Sequence, residues 1–338
     1  MDSEMQNRWD AMLAEFRSLG GIADNICIKE GQFGRGLFPI DPSKPADVYI
    51  PESLLIDVQH LRVAHGDIKV GPESPAGAGE KAFIERYERE FSWGVHRRST
   101  VDLMKEFQAA SPELRALMRS PLDLEAWLAE INPKSVAERF FGSRGISYGE
   151  RAVVMPIIEL ANHGAGTTYK VSNGIRLSGQ FNGEILARYE LISDSLQMFE
   201  NWGFAPPEDA AFSLRLELEN AGIVIQRKEV KPVLVQGVPF VPDVSMADGK
   251  ITFSHLLLGH KQYPKLAKGI FYRVMRDAGR SHPEAEALFD TIAHANRMQF
   301  LKLLALSDDA PPMLGDLLRD LVRFQLEAMS NAIGSRDI

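Results

Sequence analysis

The sequence predicts an α+β protein, and three observations support this class. Apolar residues recur at helical spacings of three and four over residues 5–19 and 80–141, and again from residue 283 to the end. Between these segments, short apolar runs cut by glycine and proline are typical of small β-sheets. With 45% apolar and 25% charged residues in 338, the composition is that of a globular chain with room for about two domains.

The first elements follow directly from this spacing. Trp9, Met12 and Phe16 share one face of the N-terminal helix, which should end at the glycine pair 20–21. A meander of short strands is then expected at residues 26–28, 36–38, 48–50 and 54–56. Residues 66–79 are rich in glycine and proline and lack periodicity, which indicates a linker.

The rest of the chain alternates in the same way. A helical module over residues 80–141 separates two β-rich parts, and helices return from residue 283. Further strands are expected at 152–155, 176–177, 184–189 and 212–218, followed by a less regular β-rich stretch to about 258. The predicted segments are 1–79, 80–141, 142–218 and a mainly helical 219–338.

The composition also limits which classes of partner and cofactor are expected. With 38 Lys+Arg against 46 Asp+Glu, the net charge of -8 has the wrong sign for neutralising phosphates, so nucleic acid is not expected as a partner. The single cysteine, Cys27, cannot form an internal disulfide, and the absence of C-x-x-C and H-E-x-x-H runs predicts no metal. An acidic start and the lack of an 18-residue apolar run predict a cytoplasmic protein without a membrane span. We also expect a monomer.

Several short motifs favour ordinary structural roles. Residues 31–36 spell G-x-x-G-x-G rather than the dinucleotide motif, and no helix follows, so a hairpin turn is favoured, although such glycines also permit close approach of a ligand. Residues 77–81 lack the Gly-Lys-Ser/Thr of a phosphate loop. His255 and His260 are five residues apart, which does not suit a pair of ligands on one helix face.

A serine hydrolase is a further alternative. Residues 145–149 match G-x-S-x-G around Ser147, but that motif requires a strand, a sharp turn and then a helix. Here a helical stretch precedes it and a β-branched run follows, which is the reverse order.

A more specific motif is the apolar run that ends at Asn162-His163. Alone, this pair is typical of a turn. It is followed, however, by residues 183–189, which read Gly-Glu-Ile-Leu-Ala-Arg-Tyr, and then by Trp202-Gly203-Phe204.

Taken in order, these segments resemble a SET-domain methyltransferase. The carrying motifs are Gly34-Arg35-Gly36-Leu37-Phe38, Ser143-Arg144, Asn162-His163 with the run before it, residues 183–189 and Trp202-Gly203-Phe204. They are most similar to the group typified by the plant Rubisco large-subunit lysine methyltransferase. The resemblance implies a SET-type α+β fold of short strands split by a helical insert and followed by a mainly helical domain that serves substrate or partner binding.

The resemblance also implies roles for single residues, with S-adenosylmethionine as cofactor and a protein lysine, or a histidine as in some relatives, as the methyl acceptor. Tyr189 would place its hydroxyl at the point of methyl transfer and orient the acceptor amine for in-line displacement, with Tyr169 as a second aromatic residue of the catalytic pocket. The implied cofactor residues are Phe33, Gly34, Arg35, Gly36, Arg144, Asn162, His163, Tyr189 and Trp202. The implied substrate channel comprises Ser143, Arg144, Glu159, Ala161 and Tyr169.

Three positions depart from the usual motifs of this group. Gly164 stands where serine is common, Glu159 where aspartate is usual, and Trp202 where the group has a tyrosine. Trp202 keeps an aromatic wall but loses a hydroxyl. A catalytically degenerate SET-like module that binds a partner protein is therefore the alternative function.

Overall fold

The computed structural model describes residues 3–228, 230 and 240–330. Its helices are α1 (Ser3–Ser18), α2 (Ala78–Phe91), α3 (Trp93–Ala109), α4 (Pro112–Arg119), α5 (Pro133–Gly142), α6 (Ser195–Trp202), α7 (Leu266–Asp277), α8 (His282–Ser307) and α9 (Pro312–Ser330). None of the helices in this described part is long and apolar enough to span a membrane.

The strands are short and lie in several small sheets. They are β1 (Ile22–Asp24), β2 (Ile26–Gly31), β3 (Gly34–Pro39), β4 (Ala46–Pro51), β5 (Leu61–Ala64), β6 (Asp67–Val70), β7 (Gly145–Tyr148), β8 (Arg151–Val154), β9 (His163–Thr167), β10 (Lys170–Ser172), β11 (Gly174–Gly179), β12 (Ala210–Phe212), β13 (Leu216–Leu218), β14 (Ile223–Ile225), β15 (Val244–Ala247), β16 (Lys250–Phe253) and β17 (Leu257–His260). Helices and mainly antiparallel sheets occupy separate stretches of the chain, which confirms the α+β class.

The chain forms two compact units, the first made of residues 1–101 and 130–191 and the second of residues 102–129 and 192–338. In the first unit, β1, β4, β11 and β10 form an antiparallel sheet in that order, and β2–β3, β5–β6 and β7–β8 are separate hairpins. Strand β4 alternates buried and partly exposed residues, as expected for a sheet with one face on a core. Trp9 and Phe16 of α1 pack on Phe91 and Phe83 of α2 and close this core.

The second unit contains two sheets and most of the long helices. Strands β13, β14, β16 and β15 form one sheet, in which β14 and β16 run parallel, and β12 pairs with β17. A capping box between Ser281 and Glu284 starts α8, because each side chain satisfies a backbone N–H group of the other residue. Within this unit, the buried carboxylate of Asp194 caps α6 and pairs with Arg227.

Several predicted elements are confirmed and some are wrong. The expected strand at 54–56 is absent, because Leu54 ends a 3₁₀ turn, Glu52–Leu54, and residues 55–56 have no regular structure. The expected linker contains strand β6, whose Ile68 and Val70 are buried. Helix α7 was not predicted, although its buried Ala267, Ile270 and Met275 follow helical spacing. The parts of the predictions that fall on residues 229, 231–239 and 331–338 lie outside the described residues. The predicted segment boundaries at 79, 141 and 218 stay predictions.

Residues 184–189 were expected to form a strand, and this is also wrong. Their backbone N–H groups bond to three different segments: Ile185 donates to Leu37, Ala187 to Asn162, and Arg188 to Thr167. A segment that serves three partners cannot keep one ladder register. It instead connects the β2–β3 hairpin to the Asn-His pair. Glu184 lies beside Gly36 and Asn162, and Tyr189 lies beside His163.

Candidate functional site

The glycine motif forms the turn end of the β2–β3 hairpin. Gly31 lies opposite Gly34, and Gln32 and Phe33 connect the two strands. Gly34 has a φ of 86°, in the left-handed region that glycine adopts without strain. The Phe33 side chain is exposed. The hairpin confirms that this motif is not a strand-to-helix dinucleotide turn.

The carboxylate of Glu184 lies against this hairpin. A Cβ atom built on Gly36 would overlap Glu184 Oε1, and one built on Gly31 would lie 2.6 Å from Glu184 Oε2. Asn162 Nδ2 donates a hydrogen bond to Glu184 Oε1 at 2.6 Å. No role was predicted for Glu184 from the sequence, although it lies within the 183–189 motif.

The Asn-His pair contacts the hairpin and the 184–189 segment together. Asn162 Nδ2 lies 3.5 Å from the carbonyl oxygen of Arg35, and the Asn162 carbonyl accepts from Ala187 at 2.9 Å. His163 Nδ1 accepts the backbone N–H of Tyr189 at 3.4 Å, and the two rings meet edge to face at 5.2 Å. The Asn-His pair therefore contacts both the β2–β3 hairpin and the 184–189 segment, through side-chain and backbone groups.

Tyr189 is partly buried, and its hydroxyl donates to the carbonyl of Ala161 at 2.9 Å. Burial raises the pKa of Tyr189; the carboxylates of Glu159 and Glu184 raise it further, while Arg144 opposes them. Burial, followed by the neighbouring Tyr189, also raises the pKa of Tyr169 well above its usual value. Both phenols are therefore neutral at physiological pH, and they lie close enough to interact.

Cationic groups form a second part of the site. Arg35 Nη2 donates to the Phe91 carbonyl at 2.5 Å and lies 3.0 Å from His96 Nε2, whereas the buried Arg35 Nε has no hydrogen-bond partner among the residues that the structure describes. Burial, with the charges of Arg144 and Arg35, lowers the pKa of His96 to about 4. A neutral His96 can accept the Arg35 hydrogen bond. No short motif of the sequence marks His96 as part of this group.

Arg144 lies beside this group. Its guanidinium stacks 4.2 Å above the Phe140 ring, and its Nη1 donates to Ser143 Oγ at 3.2 Å. Arg144 Nε is 3.8 Å from a carboxylate oxygen of Glu159, whose side chain is only 3% exposed. Two of the residues predicted for the channel, Ser143 and Glu159, thus contact Arg144.

Glu159 also belongs to a buried acidic cluster. Tyr87 donates to its carboxylate at 2.9 Å, and burial is the main cause that raises the pKa of Glu159. Burial, together with the charge of Glu159, raises the pKa of the fully buried Glu88 to about 8. Glu88 therefore carries a proton at neutral pH, which avoids two adjacent buried negative charges.

The sequence also singled out Trp202, Ser147 and the two histidines His255 and His260. Trp202 is the last residue of α6 in the second unit, where Gly203, with a φ of 78°, ends the helix. Its role stays a prediction. Ser147 lies on the exposed face of the β7–β8 hairpin, which is not the strand-to-helix turn that a hydrolase nucleophile needs. His255 and His260 are buried in the second unit, and no group of three or more metal-binding side chains occurs in the described part of the chain.

Comparisons with known proteins give matches among solved structures. The SET domain of LSMT bound to lysine and AdoHcy is similar to this chain with 15% sequence identity and a TM-score of 0.46, covering 99% of this chain and 91% of that one. The structure of Rubisco LSMT bound to AdoMet is similar with 13% identity and a TM-score of 0.47, over the same shares of the two chains. No protein-family model and no curated protein matches the chain.

Proposed function

We propose that this chain is an S-adenosylmethionine-dependent protein N-methyltransferase that acts on a lysine side chain. The observation that supports this proposal is the convergence of three distant segments in the first unit. Asn162 contacts the hairpin at Arg35, and His163 contacts Tyr189. These are the residues to which the SET resemblance assigns the cofactor loop, the Asn-His pair and the transfer point.

The chemistry of the side chains fits this cofactor. Its methionine end carries a carboxylate and an ammonium group, and its sulfonium adds a second positive charge. Arg35, with its unpartnered Nε, and Arg144 are the cations suited to the carboxylate. Gly34, where an added Cβ atom would have no neighbour within 4 Å, leaves the hairpin backbone open to close approach. Asn162 and His163 would hold the adenosine end through backbone groups.

When bound, the cofactor supplies an activated methyl group and a positive charge that disfavours the protonated form of a nearby amine. A free lysine has a pKa near 10.4, so the neutral amine costs about 4.6 kcal/mol at pH 7. Tyr189 cannot remove this proton as a base, because its raised pKa keeps it a neutral phenol. Its proton is already donated to Ala161, so its oxygen lone pairs can accept from the acceptor N–H and orient the nitrogen.

The first test is calorimetry of the full chain with S-adenosylmethionine and with S-adenosylhomocysteine. We expect both to bind, since the proposed cofactor contacts do not involve the methyl group. A chain that binds neither molecule would overturn the proposal.

The second test follows transfer of a labelled methyl group from S-adenosylmethionine into lysate proteins, with acid hydrolysis to identify the modified amino acid. Labelled methyl-lysine is the expected product. Methyl-histidine would correct the acceptor, and binding without transfer would favour the SET-like module that has lost turnover.

A further inference from the structure

Glu184 differs from the other acidic side chains of the site in how its charge is balanced. The carboxylate of Glu159 contacts both Tyr87 and Arg144. Glu184 accepts a hydrogen bond from the neutral amide of Asn162 and forms no ion pair with a cation among the described residues. A partly buried carboxylate is most stable when a positive charge offsets its lost solvation.

The carboxylate of Glu184 lies next to several residues of the site. Its two oxygens face Gly36 and Gly31, where side chains would collide with it. Its charge is also among the causes that raise the pKa of Tyr189, so the carboxylate acts electrostatically on that phenol. Glu184 thus lies among the hairpin, Asn162 and Tyr189.

Among the described residues, the carboxylate that pairs with Arg144 is that of Glu159, and Glu184 forms no ion pair with either arginine of the site. Arg35, Arg144 and His96 influence one another, as the lowered pKa of His96 shows. Glu184 lies instead next to the amide of Asn162 and the glycines of the hairpin. The arginines suit a carboxylate, which leaves Glu184 as the negative charge available to a positively charged group.

We infer that Glu184 is a binding residue of the cofactor site and that its carboxylate pairs with a positive charge of S-adenosylmethionine. This inference rests on the proposed function. S-adenosylmethionine carries two cationic groups, its sulfonium and its amino group, and both are candidates for this pairing. Asn162 positions the carboxylate, and Gly31 and Gly36 leave room for it.

The test is Glu184→Gln, which keeps the size of the side chain and an oxygen that can accept from Asn162 but removes the charge. Glu150→Gln is the matched control, because Glu150 is exposed in the β7–β8 turn of the same unit. Calorimetry should show that S-adenosylmethionine binds Glu184→Gln at least tenfold more weakly than wild type, and that Glu150→Gln stays within twofold. Thermal unfolding of each variant without ligand reports whether it is folded.

The two sources of positive charge give different patterns. If Glu184 faces the sulfonium, the variant loses affinity for S-adenosylmethionine but keeps that for S-adenosylhomocysteine, which lacks this charge. If it faces the amino group, both affinities fall together. Glu184→Asp retains the charge and should bind more tightly than Glu184→Gln, whereas a purely structural role would make the shorter side chain at least as harmful.

Two negative results have different meanings. If the wild type binds S-adenosylmethionine and Glu184→Gln binds it with the same affinity, the assignment of Glu184 is overturned and the proposed function stays intact. Failure of the wild type itself to bind either ligand would remove the proposed function. If Glu184→Gln does not fold, Glu184→Asp is compared with wild type instead. A folded Glu184→Asp variant that binds neither S-adenosylmethionine nor S-adenosylhomocysteine would count against the role of the charge.

Discussion

The hydroxyl of Tyr189 donates a hydrogen bond to the carbonyl oxygen of Ala161 at 2.9 Å, one residue before the Asn-His pair. This bond fixes the direction of the phenol, whose oxygen is the group proposed to orient the acceptor nitrogen. The function proposed for Tyr189 therefore depends on its hydroxyl rather than on its ring.

Tyr189→Phe should lower kcat for methyl transfer at least tenfold and leave the affinity for S-adenosylmethionine within a few-fold. The reason is the loss of one hydrogen bond that orients the acceptor in the transition state, which is worth on the order of 1.5 kcal/mol. Tyr148→Phe is the matched control, because Tyr148 also donates to a backbone carbonyl, that of Ser172, but outside the site. Equal turnover in the two variants would show that Tyr189 only packs in the first unit.

Gly36→Ala should disrupt the site through Glu184. The added Cβ would overlap Glu184 Oε1 and lie 2.8 Å from Asn162 Nδ2, so both side chains would have to move. We expect a destabilisation of about 1–3 kcal/mol and weaker cofactor binding. Gly183→Ala is the control, because a Cβ there has no neighbour within 4 Å. Urea unfolding and calorimetry of both variants check this, and matching behaviour of the two would contradict the packing of Glu184 on the hairpin.

The α+β class and most helices could be predicted from the sequence, since helical spacing is a local signal. The buried residues of α1, Trp9, Met12, Leu13 and Phe16, lie on the expected face. The irregular path of residues 184–189 could not be predicted, because its hydrogen bonds go to Leu37, Asn162 and Thr167, which are distant in sequence. Apolar alternation shows that a segment is half-buried but not which partners its backbone has.

The same distinction applies to the site. Asn162, His163 and Tyr189 were predicted from short motifs, and the structure brings them together. Glu184 and His96 were missed because their significance depends on neighbours, Asn162 in one case and Arg35 in the other. No spacing within a single segment encodes such pairs.

Arg227→Met should strongly destabilise the second unit. Arg227 pairs with Asp194, whose side chain is 0% exposed and also accepts from the backbone of Gln197 and Phe212. Although burial alone would raise the pKa of Asp194, the Arg227 guanidinium holds it below the usual value. Removing the cation leaves a buried charge, which costs about 3–5 kcal/mol.

The control for this pair is Arg215→Met. Arg215 pairs with Asp123 in the same unit, but both side chains are largely exposed, so the loss should be below about 1 kcal/mol. Urea unfolding of both variants measures the difference. Similar losses would mean that the Asp194–Arg227 pair contributes no more than a surface ion pair.

Glu88→Gln should change how stability depends on pH. In the folded chain, burial first and then Glu159 raise the pKa of Glu88 to about 8, whereas Ser92, the Trp93 N–H and Arg144 act in the opposite direction. Between the unfolded pKa of about 4.3 and about 8, the folded state holds a proton that the unfolded state has released. The stability from this group is thus complete at acidic pH and falls as pH rises, by up to about 1.4 kcal/mol per pH unit.

A glutamine at position 88 cannot ionise, so this loss should disappear. Glu88→Gln should match the wild type most closely near pH 4–5 and gain relative to it as pH rises toward 8–9. Urea unfolding at several pH values measures the difference, with Glu150→Gln as an exposed control whose curve should run parallel to the wild type. Because the charges of Glu88 and Glu159 act on each other, the difference curve reports the titration of this pair. A flat difference between pH 5 and 9 would show that Glu88 is ionised in the fold and that its neighbours stabilise that charge.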